Sequence, residues 1–299
     1  MNLIARTLTG IVIVAIIAAS ILCGYGWCIA FFCFLTLAMT RELISIINKS
    51  KGIAISKWSV LPAALLFLSV PAAYAFVCCQ PEASLIDCGF QYNGRAIAFL
   101  VLAGFLLSLV ALMVYELFRK AASPVTHLSG SLMPLPYIAI PLALIPVLGL
   151  WCGSKTGVPY NGLMPMALFI FIWCNDVGAY CVGCTLGRHR LFPRVSPKKS
   201  WEGSIGGASI TIAAAIIMAL TMPHHFGFLP VWVWAVTAVI TVIAGTFGDL
   251  VESLIKRELG IKDSGNILPG HGGFLDRFDS TLMAVPAVTA FLLLYGILC

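Results

Sequence analysis

About nine apolar stretches, each close to the ~20 residues that one bilayer crossing requires, constrain the fold of this chain more than any other feature. Hydrophobic residues make up 60% of the sequence and charged residues only 10%, whereas a soluble domain carries about 25% charge. The sequence therefore predicts an all-α, polytopic membrane protein with about nine transmembrane helices. The stretches lie at about 7–23, 26–47, 58–79, 96–118, 128–151, 162–184, 204–222, 230–250 and 276–298.

Lysine and arginine are unevenly distributed over the loops between these stretches. They follow the second, fourth, sixth and eighth stretches, whereas the alternate loops hold only Arg95 and Lys155. Because cytoplasmic loops are enriched in these residues, the pattern predicts a cytoplasmic N-terminus and a C-terminus on the other side of the membrane. The net charge of +6 reflects this bias, which suits contact with anionic lipid headgroups or nucleotide phosphates. The sequence shows no nucleic-acid-binding motif.

The residues capable of chemistry are concentrated in the C-terminal part of the chain. Residues 1–125 are predicted to form N-terminal transmembrane spans that serve as a peripheral bundle or an oligomer contact, and residues 126–299 a catalytic transmembrane region. Within the first part, Glu42 and Glu116 lie close to arginines at predicted inner helix ends, which is typical of interfacial ion pairs. The 11 cysteines are scattered singly through apolar stretches, which predicts small buried side chains rather than a disulfide framework.

The densest polar segment of the chain runs from Asp249 to Asp279, between the last two apolar stretches. If the eighth helix continues into this segment, Asp249, Ser253 and Lys256 lie at i, i+4 and i+7 and share one face. Asp276 and Asp279 lie at i and i+3 at the start of the last helix and also share a face. Two helix ends would thus present carboxylates, the ligands that suit a hard divalent cation such as Mg²⁺.

The linker between these two helix ends carries cations and glycines. Lys256, Arg257 and Lys262 suit phosphate groups. Pro269 and the glycines around His271 interrupt helix and let backbone N–H groups approach a ligand closely. Interfacial anchoring would explain the cations, but it would not explain inward-facing aspartates next to a membrane.

A second polar cluster follows the sixth apolar stretch. Asp176 lies deep for a carboxylate, which indicates a partner or a function. The run Ser-Pro-Lys-Lys-Ser at 196–200 can surround phosphates with ammonium and hydroxyl groups. Alternatively, the lysine pair marks a cytoplasmic loop, and Ser200 or Ser204 caps the next helix with Glu202 in its first turn.

Three motifs in the polar segment resemble the signature of the phosphatidate cytidylyltransferase family, the CDP-diacylglycerol synthases. They are Ser253-x-x-Lys256-Arg257, Lys262-Asp263-x-Gly265 and Pro269-Gly-His-Gly-Gly-x-x-Asp276-Arg277-x-Asp279. The cluster at Asp176 and 196–203 is similar to the same family, so the resemblance covers about the last 130 residues.

The resemblance implies an enzyme of phospholipid biosynthesis in the cytoplasmic membrane. It would convert CTP and phosphatidate into CDP-diacylglycerol and pyrophosphate at the cytoplasmic face, among membrane lipids, and the family suggests a homodimer. Asp249, Asp276 and Asp279 are expected to hold Mg²⁺, and whether a second cation such as K⁺ binds as well is left open. The expected catalytic residues are Lys256, Arg257, His271 and Arg277. The expected substrate-binding residues are Asp176, Lys198, Lys199, Ser200, Glu202, Ser253, Lys262, Gly272 and Gly273.

Two other functions are compatible with parts of the pattern. A CTP-dependent polyprenol or lipid kinase would also need Mg²⁺ and a nucleotide at the inner face, but it would release CDP rather than pyrophosphate. A secondary transporter would carry polar groups at corresponding midplane positions in two halves of the chain. Here the polar groups are concentrated at one face and in one half, which argues against transport.

Overall fold

The computed structural model describes residues 3–51, 54–78, 94–119, 123–265 and 272–298. Helices dominate these residues, as the apolar stretches predict, and the all-α fold class is confirmed. The α-helices are α1 (Leu3–Leu22), α2 (Tyr25–Lys51), α3 (Val60–Cys78), α4 (Gly94–Phe118), α5 (Pro124–Leu132), α6 (Ile140–Thr156), α7 (Leu163–Leu186), α8 (Trp201–Thr221), α9 (Pro223–Phe226), α10 (Val231–Glu258) and α11 (Leu275–Leu298).

Within the described ranges, 8 helical segments are long and apolar enough to cross a membrane, and α1 adds a shorter apolar stretch at Thr9–Leu22. Together they correspond to the predicted stretches and define a polytopic membrane protein. One segment, Pro124–Thr156, joins α5 and α6 through a π-helical turn at Leu135–Ala139. Prolines at 136 and 141 lack the N–H that a regular α-helix needs, which accounts for the altered turn. The orientation of the helices in the membrane stays a prediction.

A short antiparallel hairpin interrupts the helical order between α7 and α8. Strand β1 (Arg190–Phe192) pairs with β2 (Ser196–Ser200), and Arg190 lies opposite Ser200. The run Ser-Pro-Lys-Lys-Ser is therefore a strand rather than an irregular loop. Because side chains alternate along a strand, Lys198 and Lys199 point to opposite sides of the hairpin.

The chain divides into two compact units that do not follow the sequence order. Unit 1 contains Met1–Gly162 together with Leu259–Arg277, and unit 2 contains Leu163–Glu258 together with Phe278–Cys299. The segment after α10 thus belongs to the N-terminal unit by its contacts. The functional division at residue 125 stays a prediction.

Unit 2 is held together by close helix packing at glycines. A Cβ atom on Gly207 of α8 would lie 2.8 Å from the carbonyl oxygen of Asn175 on α7. A Cβ on Gly248 of α10 would lie 2.6 Å from the carbonyl oxygen of Asp279 on α11. Only glycine permits backbones this close. The second contact brings the residue after Gly248, Asp249, close to Asp279 within unit 2.

Candidate functional site

Three aspartates from three helices of unit 2 form one acidic cluster. Asp176 lies on α7, Asp249 on α10 and Asp279 on α11. Asp279 lies within electrostatic range of Asp249, of Asp176 and of the ammonium group of Lys199. The sequence prediction that Asp249 and Asp279 act together is consistent with this grouping. Asp176, expected to bind substrate, lies in the same cluster as two of the three expected metal ligands, Asp249 and Asp279.

Asp249 is the best-defined member of this cluster. Its Oδ2 lies 2.6 Å from Nζ of Lys199, and the two side chains are 32% and 25% exposed. Its Oδ1 accepts a hydrogen bond of 3.2 Å from the hydroxyl of Ser253, one helical turn further on. The predicted shared face of Asp249 and Ser253 is therefore confirmed. Lys199 offsets one of the three negative charges in the cluster.

The hairpin that carries Lys199 is fixed to the start of α8 by the N-cap Ser200 and by hydrogen bonds to Glu202. The hydroxyl of Ser200 accepts the N–H of Gly203 at 3.2 Å, so Ser200 is the N-cap, one of the alternatives that the sequence offered. The carboxylate of Glu202 accepts the N–H groups of Arg188 and His189, each at 3.1 Å, and lies 2.5 Å from Nδ1 of His189. These contacts orient the hairpin, and substrate contacts by Ser200 and Glu202 stay predictions.

A buried ion pair lies near the C-terminal end of α10, the end that is predicted to face the cytoplasm. Nζ of Lys256 lies 2.5 Å from Oε2 of Glu252, which is 0% exposed. Lys256 was expected to neutralise phosphate, and here its charge is already balanced by a carboxylate on the same helix. The sequence analysis missed Glu252, although the i, i+4 spacing of Glu and Lys is a visible signal. The neighbouring Arg257 is exposed, and its Nε donates to the carbonyl of Val195 at 3.5 Å.

Asp276 belongs to unit 1, where its carboxylate organises the segment that precedes α11. Oδ2 of Asp276 accepts the N–H of Ser264 and the N–H of Gly273, both at 2.9 Å, and the hydroxyl of Ser264 at 3.0 Å. Gly272 has a φ of +81°, and a Cβ there would lie 2.5 Å from the same oxygen. The N–H of Gly273 thus binds the carboxylate of Asp276, a side chain of the protein itself, rather than an external anion. Roles for Gly272 and Gly273 in substrate binding, and for Asp276 in metal binding, stay predictions.

Glu42 of α2 is part of the same arrangement in unit 1. It is only 6% exposed, its Oε1 accepts a hydrogen bond from the hydroxyl of Ser264, and its Oε2 accepts the N–H of Phe274 at 2.9 Å. The prediction that Glu42 forms an interfacial ion pair is therefore wrong, since its carboxylate is buried against backbone and hydroxyl donors. The corresponding prediction for Glu116 is confirmed, because its Oε1 lies 3.2 Å from Nη1 of Arg119.

The remaining expected site residues fall into two groups. Lys198, Lys262 and Arg277 are exposed. His271 lies outside the described residues, together with Pro269 and Gly270 of its motif. Roles in catalysis or substrate binding stay predictions for all of these residues.

The donor chemistry of the unit 2 cluster fits a hard divalent cation. Asp176, Asp249 and Asp279 supply carboxylate oxygens, the ligands that Mg²⁺ prefers, and the ammonium group of Lys199 lies among them. Among the described residues, however, no group of three or more His, Cys, Asp or Glu side chains is arranged to hold a metal ion. Metal binding would therefore require side-chain rotation, beginning with Asp249, whose Oδ2 is paired with Lys199.

Membrane-crossing helices that carry clustered carboxylates define an integral membrane protein with a polar site. Its family follows from sequence comparison: the cytidylyltransferase family matches residues 4–295, and the chain belongs to this family. The family resemblance predicted from the motifs is confirmed. The family match also covers the N-terminal spans, which contain none of the motifs.

Several curated relatives carry the name phosphatidate cytidylyltransferase. One from Staphylococcus haemolyticus is 43% identical over 125 residues, covering 42% of this chain and 47% of the relative. One from Mycobacterium bovis is 38% identical over 200 residues, covering 64% of this chain and 63% of the relative. One from Staphylococcus aureus is 44% identical over 126 residues, covering 42% and 47%. The chain thus aligns with between 47% and 63% of the length of these relatives.

Proposed function

We propose that the protein is a phosphatidate cytidylyltransferase, which joins the cytidylyl group of CTP to phosphatidate and releases pyrophosphate. The observation that carries the proposal is the cluster of Asp176, Asp249 and Asp279 with Lys199 in a member of the cytidylyltransferase family. The names of the relatives supply the substrate class. The lipid substrate is consistent with a site carried by membrane-crossing helices.

The reaction brings together anions, so positioning and charge neutralisation dominate its barrier. A phosphate oxygen of phosphatidate forms a bond to the α-phosphorus of CTP, and the bond from that phosphorus to the bridging oxygen of the β-phosphate breaks. The electron pair leaves with pyrophosphate, so no oxidant, reductant or covalent enzyme intermediate is needed. The protein has to hold three negatively charged groups in line: the phosphate of phosphatidate, the α-phosphate of CTP and the departing pyrophosphate.

The residues of unit 2 divide this work between them. Asp249 and Asp279 would hold Mg²⁺, with Asp176 as a further oxygen donor. The family motif separately implies a metal-binding role for Asp276 of unit 1. When bound, Mg²⁺ would offset phosphate charge during in-line transfer. Lys199, released from Asp249, would contact a phosphate oxygen of CTP, and Arg257 would contact the lipid phosphate or the departing pyrophosphate.

The orientation of the site forms part of the proposal. Basic residues cluster in the loops after α7 and α10, which is the bias expected for the cytoplasmic side. A site at this face of the cytoplasmic membrane lets a soluble nucleotide meet a lipid without either crossing the bilayer. The resemblance also makes a homodimer part of the proposal.

The test uses the full chain, purified in detergent, with phosphatidate, Mg²⁺ and CTP labelled in the cytosine ring. We expect labelled lipid and pyrophosphate in equal amounts, and neither when diacylglycerol replaces phosphatidate, because diacylglycerol lacks the phosphate nucleophile. Release of CDP with a newly phosphorylated lipid would instead identify a CTP-dependent kinase. Absence of any CTP-dependent product would refute the proposed function.

A further inference from the structure

Within unit 1, helix α2 contacts the segment 259–277 both near the start and near the end of that segment. The described residues of the segment are 259–265 and 272–277. Near the start of the segment, the hydroxyl of Ser50 donates to the carbonyl of Leu259. At the end of the segment, the ring of Phe274 packs edge-on against Phe34, with 6.1 Å between ring centroids. Between these two contacts along α2 lies Glu42. A helix from the N-terminal spans therefore contacts described residues on both sides of positions 266–271.

The carboxylate of Glu42 provides the polar part of this attachment. A buried carboxylate is stable only when donors replace the water it has lost, and Glu42 finds them in Ser264 and in the N–H of Phe274. Phe274 directly precedes α11, where N–H groups lack partners within the helix and negative charge is favourable. Glu42 thus caps α11 from a helix more than two hundred residues earlier, since Glu42 and Phe274 are 232 positions apart.

Ser264 links Glu42 to Asp276. Its hydroxyl lies within hydrogen-bonding range of both carboxylates, and its N–H donates to Oδ2 of Asp276. A hydroxyl has a single proton, so Ser264 donates it to one of the two carboxylates at a time. A shift of Glu42 would therefore be transmitted to Asp276 through Ser264.

The glycines of the motif leave room for Glu42. A Cβ on Gly273 would lie 1.5 Å from Oε1 of Glu42 and 2.2 Å from Oγ of Ser264, so a side chain there would displace both groups from their present positions. A Cβ on Gly265 would lie 3.1 Å from the same oxygen of Glu42, a closer approach than usual. Glycine at 273 therefore leaves the space that the carboxylate of Glu42 occupies.

We propose that Glu42 is a positioning residue. Its hydrogen bonds to Ser264 and to the Phe274 N–H hold these two residues in place and thereby fix the position of the Asp276 carboxylate. The proposal rests on the proposed function in so far as Asp276 belongs to the working site. Glu42 touches neither substrate nor metal in this role. Its effect reaches the reaction only through the segment.

The test compares two variants. Glu42→Leu removes both carboxylate oxygens that accept hydrogen bonds, whereas Glu42→Gln keeps one oxygen acceptor and replaces the other oxygen by an amide donor. The Gln carbonyl can accept from Phe274, and its amide can donate to Ser264, whose proton then goes to Asp276. We expect Glu42→Leu to lower kcat about tenfold or more with KM for CTP changed less than about twofold, and Glu42→Gln to stay within about threefold of wild type. Equal losses in both variants, or wild-type kcat in Glu42→Leu, would overturn the proposal.

A second readout does not depend on turnover. Lys262 is exposed and lies two residues before Ser264, so trypsin cleavage after Lys262 reports opening of the segment. We expect cleavage to be about fivefold faster in Glu42→Leu and unchanged in Glu42→Gln. The matched control is Glu116→Leu, the same substitution at a buried glutamate of α4 that pairs with Arg119, and it should change neither kcat nor cleavage.

Two outcomes separate this proposal from the proposed function. If the wild-type chain shows no turnover of CTP and phosphatidate, the proposed function fails, while the cleavage comparison still decides whether Glu42 holds the segment. If Glu42→Leu does not fold, Ser264→Ala removes the same contact from the other side. Wild-type kcat and cleavage in Ser264→Ala would overturn the positioning role.

Discussion

The two units of the molecule each contain clustered carboxylates, but the carboxylates have different partners. In unit 2, Asp249 is paired with an ammonium group and a hydroxyl, and Asp279 lies in the electrostatic field of two further aspartates. In unit 1, Glu42 and Asp276 are held by backbone N–H groups and by Ser264. The first arrangement can exchange its cation for another, whereas the second is fixed by the backbone. Unit 2 thus carries carboxylates whose partner is a mobile ammonium group, and unit 1 carries carboxylates whose partners belong largely to the backbone.

The largest expected effect comes from the reactive cluster. Asp249→Asn should lower CTP-dependent turnover by about 100-fold or more, because an amide cannot supply the negative charge that a divalent cation needs. Membrane insertion and the thermal unfolding midpoint should stay close to wild type, since Asp249 is a third exposed and its pair with Lys199 is solvent-accessible. Turnover and thermal unfolding in detergent measure the two quantities.

The control for Asp249→Asn is Glu258→Gln, at the exposed end of the same helix, which should keep wild-type turnover. Near-normal activity in Asp249→Asn would remove Asp249 from the site and would end the assignment of the unit 2 cluster as metal ligands.

An intermediate effect is expected at the fixed carboxylate of unit 1. Asp276→Asn should lower turnover by about 10- to 100-fold and, unlike Asp249→Asn, should also destabilise the fold by about 1–3 kcal/mol, since Oδ2 of Asp276 accepts two backbone N–H groups, those of Ser264 and Gly273. Thermal unfolding and trypsin cleavage after Lys262 measure the second effect. If Asp276→Asn unfolds and is cleaved like wild type, the contrast between the two units does not hold.

The smallest expected effect distinguishes the two neighbouring lysines of β2. Lys199→Gln should raise KM for CTP about tenfold, while Lys198→Gln should raise it less than about threefold, because only Lys199 is paired with a carboxylate of the cluster. Loss of the Lys199–Asp249 pair should change stability by less than about 1 kcal/mol, as both side chains are partly exposed. Equal KM changes in the two variants would show that the lysines act only as a general positive surface.

Several local features of the site follow from the sequence because they depend on residues one helical turn apart. The spacing of Asp249 and Ser253 predicts their shared face, and a hydrogen bond joins them. Ser200 stands before a helical stretch and is its N-cap. The same local rule would have found the Glu252–Lys256 pair, which lies at i, i+4 within α10.

Other features could not be predicted, because they depend on how distant helices pack. Asp176 reaches the cluster only because α7, α10 and α11 meet in unit 2. The partner of Lys199 lies fifty positions away, and the lysine points toward it because 196–200 forms a strand. Nothing in the local sequence around Glu42 separates a buried cap from a charge at a helix end.

Hydropathy over windows of one membrane crossing and the motif around Asp276 determine that this chain is a helical membrane protein of the cytidylyltransferase family. Both signals are local, so the sequence carries them directly. Tertiary structure alone decides which carboxylate forms an ion pair with a lysine and which accepts hydrogen bonds from backbone N–H groups. The contact of Glu42 with Ser264 spans 222 positions, and it exists only because glycine at 273 lets α2 and the motif segment come together.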